Sequence, residues 1–333
     1  MKKVGFFVVM LILIIGMSMV TTGCPRREAA REGDLRVAIL MTPLTNPFHR
    51  TMFRMINEAI EEARTTHPHV RFTIYSNADM EEQVNNAERI LHGRYDGVLI
   101  STFDGALMAE PTARIHRQGA KVVVINRMLE TNEWDAFVSG DNVGGGANVA
   151  RYMGNFLGGR GNVYIVGMQL GTPIARDRSS GFEEVMRTEF PNIRILGTSE
   201  GQHNITAGFE AMEMILAAHP HIDAVYSHDP FSAKGQEQAI INAARRDIRI
   251  IMACAPDRDM ARHMMANPNT LIAGNFNYPP MMAAMGVRTL LRILDGDVPG
   301  VDFPREYLLE AELLMREDAA RWEMLVPDPD LRF

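Results

Sequence analysis

The stretch LRVAILMTPLTNPFH, residues 35–49, opens with an apolar run from Val37 to Met41, turns through Thr42-Pro43-Leu44-Thr45 and reaches Asn46-Pro47 just before a long helical pattern. A buried strand is handing over to a helix. Asn46 suits the cap, and Pro47 suits the first helical position, which needs no N–H donor and already wants the φ that proline fixes. In an open α/β sheet this handover lies at the carboxyl edge of a strand, the edge where ligands bind.

Working outward, further strand-like runs occur at 70–75, 97–100, 122–125, 163–166, 193–196, 224–226, 249–253 and 271–276. Helical patterns of about a dozen residues or more separate nearly all of them, for example Phe48 to Ala63, Val143 to Leu157 and Ile205 to Ala218. Such alternation predicts parallel βαβ units with helices on both faces of the sheet. A length of 333 residues suits two domains of about 100 to 200 residues each. His-Pro-His lies between a helix and a strand at 67–69 and again at 219–221, which reads as the trace of two similarly wound halves. A metal site made from these histidines is not expected, because no further ligand stands at metal-motif spacing. Gly144, Gly145 and Gly146 interrupt a helix without forming a dinucleotide fingerprint, so close helix packing is the expected reason for them.

The first residues stand apart from this pattern. Lys2 and Lys3 precede an apolar run from Val4 to Val20 and then Thr21-Thr22-Gly23-Cys24, the layout of an export signal. Residues 1–23 are therefore read as a lipoprotein signal peptide, with Cys24 as the acylated residue, although Thr21 stands where such signals usually carry leucine. Residues 24–34 read as a charged tether. An exported, lipid-anchored protein on the periplasmic or cell-surface face of the membrane is the expectation. The net charge of −7 argues against nucleic acid as a partner. No P-loop, zinc-protease, nucleophile-elbow or paired-cysteine motif is present, so no enzyme activity, cofactor or metal is expected.

The carboxyl ends of the strands supply the candidate site. Asn46, Phe48 and His49 follow the first strand; Ser101 and Thr102 the third; Asn126 and Arg127 the fourth. In the later half, Arg176, His203, Asp229, Cys254 and Asn277 lie at or after strand ends. Amides, guanidinium groups and a carboxylate beside aromatic faces suit a polyhydroxylated ligand, whose hydroxyls need both donors and acceptors. Each residue also has a local reading: Asn46, Asp141 and Asp229 as helix caps, Phe48 as core, Arg176 and Arg178 as a solvated helix face.

TNPFH (45–49), INR (125–127), SGDN (139–142), ARDRSSGF (175–182), AHPHIDAVYSHD (218–229) and GDVP (296–299) together resemble the periplasmic sugar-binding proteins of the ribose- and galactose-binding type, the solute receptors of ABC importers. The resemblance runs from Leu35 to about Asp318. It implies an α/β fold of two similar doubly wound parallel-sheet lobes joined by a three-segment hinge, the type I periplasmic binding protein fold. Residues 35–140 plus 278–306 would form the N-terminal lobe and 141–277 plus 307–333 the C-terminal lobe, with crossings near Gly140, Asn277 and Glu306. It also implies a monosaccharide or polyol bound between the lobes, a monomeric receptor, and an ABC permease as partner. A receptor that presents its ligand to a chemoreceptor or sensor kinase would share these features. Asn46, Phe48, Asn126, Arg127, Arg176, Asp229 and Asn277 fall on sugar-binding positions of the family. The chain departs from the pattern in carrying Cys254 where an aspartate is usual, Asp229 where asparagine is usual, and His49 and His203 where an aromatic residue is common. A galactose-type calcium loop is absent.

Overall fold

A computed structural model describes residues 33–321 other than positions 46, 170, 256 and 257. Cys24 and Asn46 lie outside the described residues. The described residues open with β1 (Leu35–Leu40), α1 (Pro47–Thr66), β2 (Val70–Tyr75), α2 (Met80–Gly93), β3 (Gly97–Ser101), α3 (Ala109–Arg117), β4 (Lys121–Ile125) and β5 (Ala136–Gly140). It continues with α4 (Asn142–Phe156), β6 (Arg160–Gly167), α5 (Pro173–Glu189), β7 (Asn192–Glu200), α6 (Ile205–Ala218), β8 (Ala224–Ser227), α7 (Pro230–Asn242), β9 (Ile250–Cys254), α8 (Arg258–Ala266) and β10 (Ile272–Phe276). The last elements among the described residues are α9 (Met282–Leu294), β11 (Glu306–Leu309), β12 (Leu313–Met315) and a short 3-10 turn.

Two six-stranded sheets result, in the orders β11-β5-β4-β3-β1-β2 and β12-β10-β9-β8-β6-β7. All pairings are parallel except that of β12 with β10. Each sheet is doubly wound, with its switch point between β1 and β3 or between β6 and β8. The apolar run of β1 explains itself here: Val37 and Ile39 enter one core while Ala38 and Leu40 enter the core on the opposite face. Every strand-like run expected from the sequence is a strand. The two halves are similarly wound, but the His-Pro-His segments do not mark equivalent places. One leads into the edge strand β2, the other into the internal strand β8. Their histidines meet carboxylates instead, His67 Nε2 lying 3.0 Å from Asp295 and His221 Nε2 3.3 Å from Asp223.

The chain crosses between the sheets after Gly140 and after Phe276, near two of the places that the resemblance implies. The third crossing is later than Glu306: residues 306–309 pair with β5 as β11, and the chain changes sheet at 310–312. These crossings are laced together, since Asp141 N donates to the Leu309 carbonyl (2.8 Å) and Asn277 N to the Glu312 carbonyl (2.7 Å). Shortness hides both edge strands from a search for apolar runs: β11 is the four residues EYLL and β12 the three residues LLM.

Glycine packing sets the second lobe. A Cβ on Gly146 of α4 would fall on the Arg178 carbonyl of α5, and one on Gly181 of α5 would fall on the Val143 carbonyl of α4. The expected close helix packing is found at Gly146, where it seats α5 so that Arg178 reaches the interlobe space, whereas Gly144 faces its own cap Asp141 and Gly145 the Phe276 ring.

Candidate functional site

The carboxyl edges of the two sheets face each other. From the first lobe come Phe48 and His49, in the first turn of α1, and Arg127, just after β4. Phe48 packs 5.6 Å from the ring of Tyr278, which follows β10 at the second crossing. The Tyr278 hydroxyl lies 3.0 Å from both Ser139 Oγ and the Asn126 carbonyl, pinning that crossing to the first lobe. Gly140 permits this approach, because a Cβ there would stand 2.5 Å from the Tyr278 ring.

From the second lobe comes Arg178. Its side chain is buried, with Nε donating to Asn142 Oδ1 at 3.0 Å and an Nη to the His228 carbonyl at 2.6 Å. The guanidinium carbon lies 5.0 Å from the Phe276 ring centroid and 5.1 Å from that of Tyr278, over both faces. One arginine thereby ties α5 to the start of α4, to the end of β8 and to the hinge tyrosine. His228 is wholly buried 4.9 Å from the Tyr226 ring, and among the described residues neither ring nitrogen has a hydrogen-bond partner. Cys254, also wholly buried, contacts Tyr226 Oη at 3.5 Å, and burial pushes its thiol up to about 12, so it stands as a neutral group.

The charges act on one another across the lobes. Burial pushes the His49 imidazole down to about 4; the Pro43 carbonyl opposes this, and Arg127 adds to it. Burial likewise lowers Arg127, opposed by Tyr278 and Asp104 and reinforced by Arg178. His203 is held below its ordinary value by desolvation between the lobes and then by Arg178, Arg127 and His49. Its own surface is open to water, so the positive charges of Arg178 and Arg127 support the direction more firmly than desolvation does. His228 is lowered by burial, then by Arg178 and His203.

A stability prediction follows from His49. Its folded value lies below the unfolded 6.5, so the unfolded chain takes up the proton first as pH falls. The contribution is present above about pH 6.5 and is lost towards about pH 4, amounting to about 3 kcal/mol. His228 acts in the same sense. Urea midpoints should fall across this window, and His49→Gln should flatten the fall. An equal fall in that variant would remove His49 as a cause.

Other residues expected at the site make more local contacts. Arg176 is 69% exposed and faces Asp177 at 3.7 Å. It lines a cavity of about 450 Å³ beside the hinge, with Asn126, Ser139, Asp141 and Glu306 among its walls. Arg178, two positions on and therefore on another face of the helix, occupies the cleft instead. Asp229 Oδ1 caps α7 by accepting from Ser232 N at 2.8 Å, and Asp141 caps α4 in the same way, so the capping reading holds for both. Asn126 is held at φ 72° and its Oδ1 accepts from Tyr278 at 3.1 Å. Asn126→Ala should cost about 1–2 kcal/mol in a denaturation experiment, and Asn126→Gly less, since glycine takes a left-handed backbone freely. Asn277 is half-buried at the crossing, and its side chain has no hydrogen bond among the described residues. No cluster of metal-ligating side chains occurs among the described residues, and no helix there is long and apolar enough to cross a membrane.

The sequence reading missed Arg178, His228 and Tyr278 as site residues. Each adjoins a feature it had noted: the second arginine of ARDR, the residue before a helix cap, and the residue after a strand-end asparagine.

A family model described as a periplasmic binding protein domain matches residues 37–297. The ribose import binding protein RbsB of Bacillus subtilis (strain 168) is 24% identical over 252 residues, covering 73% of this chain and 80% of that protein. Among solved structures, an ABC transporter solute binding protein from Bacillus halodurans C-125 with bound myo-inositol superposes with a TM-score of 0.76 at 16% identity, covering 89% of this chain and 99% of that one. The fructose binding periplasmic domain of a hybrid two component system gives 0.75 at 21% identity, covering 87% and 94%.

Proposed function

The chain belongs to the periplasmic binding protein domain family, and we propose that it is the extracytoplasmic receptor of an ABC importer, binding a monosaccharide or polyol between its lobes. The observation that carries this reading is the convergence of Phe48, His49 and Arg127 from one lobe with Arg178, His203 and His228 from the other at the carboxyl edges of two sheets. Donors and ring faces are thus offered from both sides, a combination that suits a hydroxylated ring. The relatives that bind ribose, and the structural neighbour with bound inositol, agree with it.

Closure about the three crossings follows from the same arrangement. A ligand that touches both lobes binds the closed form better and shifts the population towards it. The permease would then distinguish closed from open receptor.

Mass spectrometry of material released from the purified protein should yield a sugar or polyol, and small-angle scattering should show contraction when it is added back. Release of an unrelated compound such as a peptide would overturn the reading. The lipid anchor belongs to this proposal as well. Cys24→Ser should move the protein from the membrane fraction to the soluble fraction and abolish fatty-acid labelling; unchanged partitioning and labelling would remove the anchor.

A further inference from the structure

Arg127 and Arg178 approach the cleft from opposite lobes, and both are buried, at 9% and 3% exposure. Neither has a carboxylate partner among the described residues. Arg178 donates to an amide oxygen and a backbone carbonyl, Arg127 donates to the Phe103 carbonyl, and Arg127 Nε has no acceptor. Among the described residues Asp104 acts on Arg127 and Asp229 on Cys254, and each of these carboxylates has an oxygen committed to backbone. Asp104 Oδ1 accepts from Ala106 N and Leu107 N, both at 2.9 Å, and Asp229 Oδ1 accepts from Ser232 N. At the end of β9 the chain offers the neutral Cys254. His49, His203 and His228 add no negative charge.

A guanidinium buried among neutral acceptors keeps its charge uncompensated, which is costly unless a counter-charge arrives. The whole chain carries a net charge of −7, so this local excess of positive charge is not a reflection of bulk composition. We infer that the ligand is a polyhydroxylated molecule bearing an anionic group, a carboxylate or a phosphate, held between Arg127 and Arg178. The inference rests on the reading of the cleft as a sugar or polyol site. An anion in that place couples binding to closure. It attracts one arginine from each lobe, and it cancels the like-charge repulsion that opposes their approach.

Calorimetry on the purified full-length chain tests this with D-galacturonate, D-gluconate and D-ribose 5-phosphate against D-galactose, D-ribose and myo-inositol. At least one anionic probe should bind roughly 10- to 100-fold more tightly than its neutral counterpart, with an affinity that falls as salt rises. Preference for the sugar acids assigns a carboxylate, and preference for ribose 5-phosphate a phosphate. Arg127→Gln, with an unchanged circular dichroism spectrum, should erase the preference, and Arg127→Lys should keep most of it. A neutral sugar bound as tightly as its anionic counterpart overturns the inference and leaves the receptor reading in place. Inorganic phosphate or citrate bound as tightly as the sugar anions overturns the sugar reading itself. Absence of binding by every probe counts against both.

Discussion

Arg178→Met is expected to weaken ligand binding by about 100-fold or more, because charged hydrogen bonds contribute about 1.5–3 kcal/mol each and the guanidinium has several donors to offer. Its effect on the unliganded fold should be much smaller, under about 2 kcal/mol, for two opposing reasons. Methionine leaves Asn142 Oδ1 and the His228 carbonyl without their donor, which destabilises. It also removes a charge that has no carboxylate partner and keeps apolar contact with Phe276 and Tyr278, which stabilises. Calorimetry and urea denaturation on the same preparation separate these effects. A large loss of stability with little loss of affinity would make Arg178 a structural strut instead of a ligand-binding group. The parallel substitution Arg176→Met should leave affinity within about threefold of the parent, since that side chain is exposed beside Asp177 on the hinge flank. A comparable loss there would return Arg176 to the site.

The second large effect falls on the α4–α5 contact. Gly146→Val should destabilise by about 3 kcal/mol or more, because the added carbons meet the Arg178 backbone carbonyl, which cannot rotate away as a side chain would. Gly181→Val should cost a similar amount against the Val143 carbonyl. The two substitutions act at one crossing, so the double variant should lose less than the sum of the singles, once the helices have already been pushed apart. Because Arg178 rides on this helix, affinity should fall together with stability in the single variants. Full stability in Gly146→Val would show that α4 and α5 do not pack as closely as the carbonyl contacts require.

Much of the molecule is legible in its sequence. The apolar run at Val37–Met41 and those that follow predict buried parallel strands, because a strand covered by helices on both faces has no polar side to alternate with. Asp141 and Asp229 are legible as caps because capping is local: a carboxylate reaches the amide three residues on, whatever the rest of the chain does. The alternation of strands and helices indicates doubly wound sheets with functional strand ends, and the resemblance carried by the TNPFH, INR and ARDR stretches adds two lobes and a cleft between them.

What the sequence leaves open is direction. ARDR carries arginines on different faces of one helix, and only the contact of α4 with α5 through Gly146 and Gly181 decides that Arg178 enters the cleft while Arg176 lines the hinge flank. Asn126 and Arg127 are adjacent, yet the first gives its side-chain oxygen to Tyr278 and the second places a guanidinium in the cleft. The third crossing moved from Glu306 to residues 310–312 because pairing of β11 with β5 is a contact between distant segments, invisible to local periodicity. The opening stretch shows the same division. Its strand, turn and helix were set by local preferences, whereas the partners of Phe48 and His49 came from Tyr278, Arg127 and the facing lobe. Local backbone preference and burial pattern are properties of short segments, but the charge of a cleft is a sum over residues that meet only when the chain has folded.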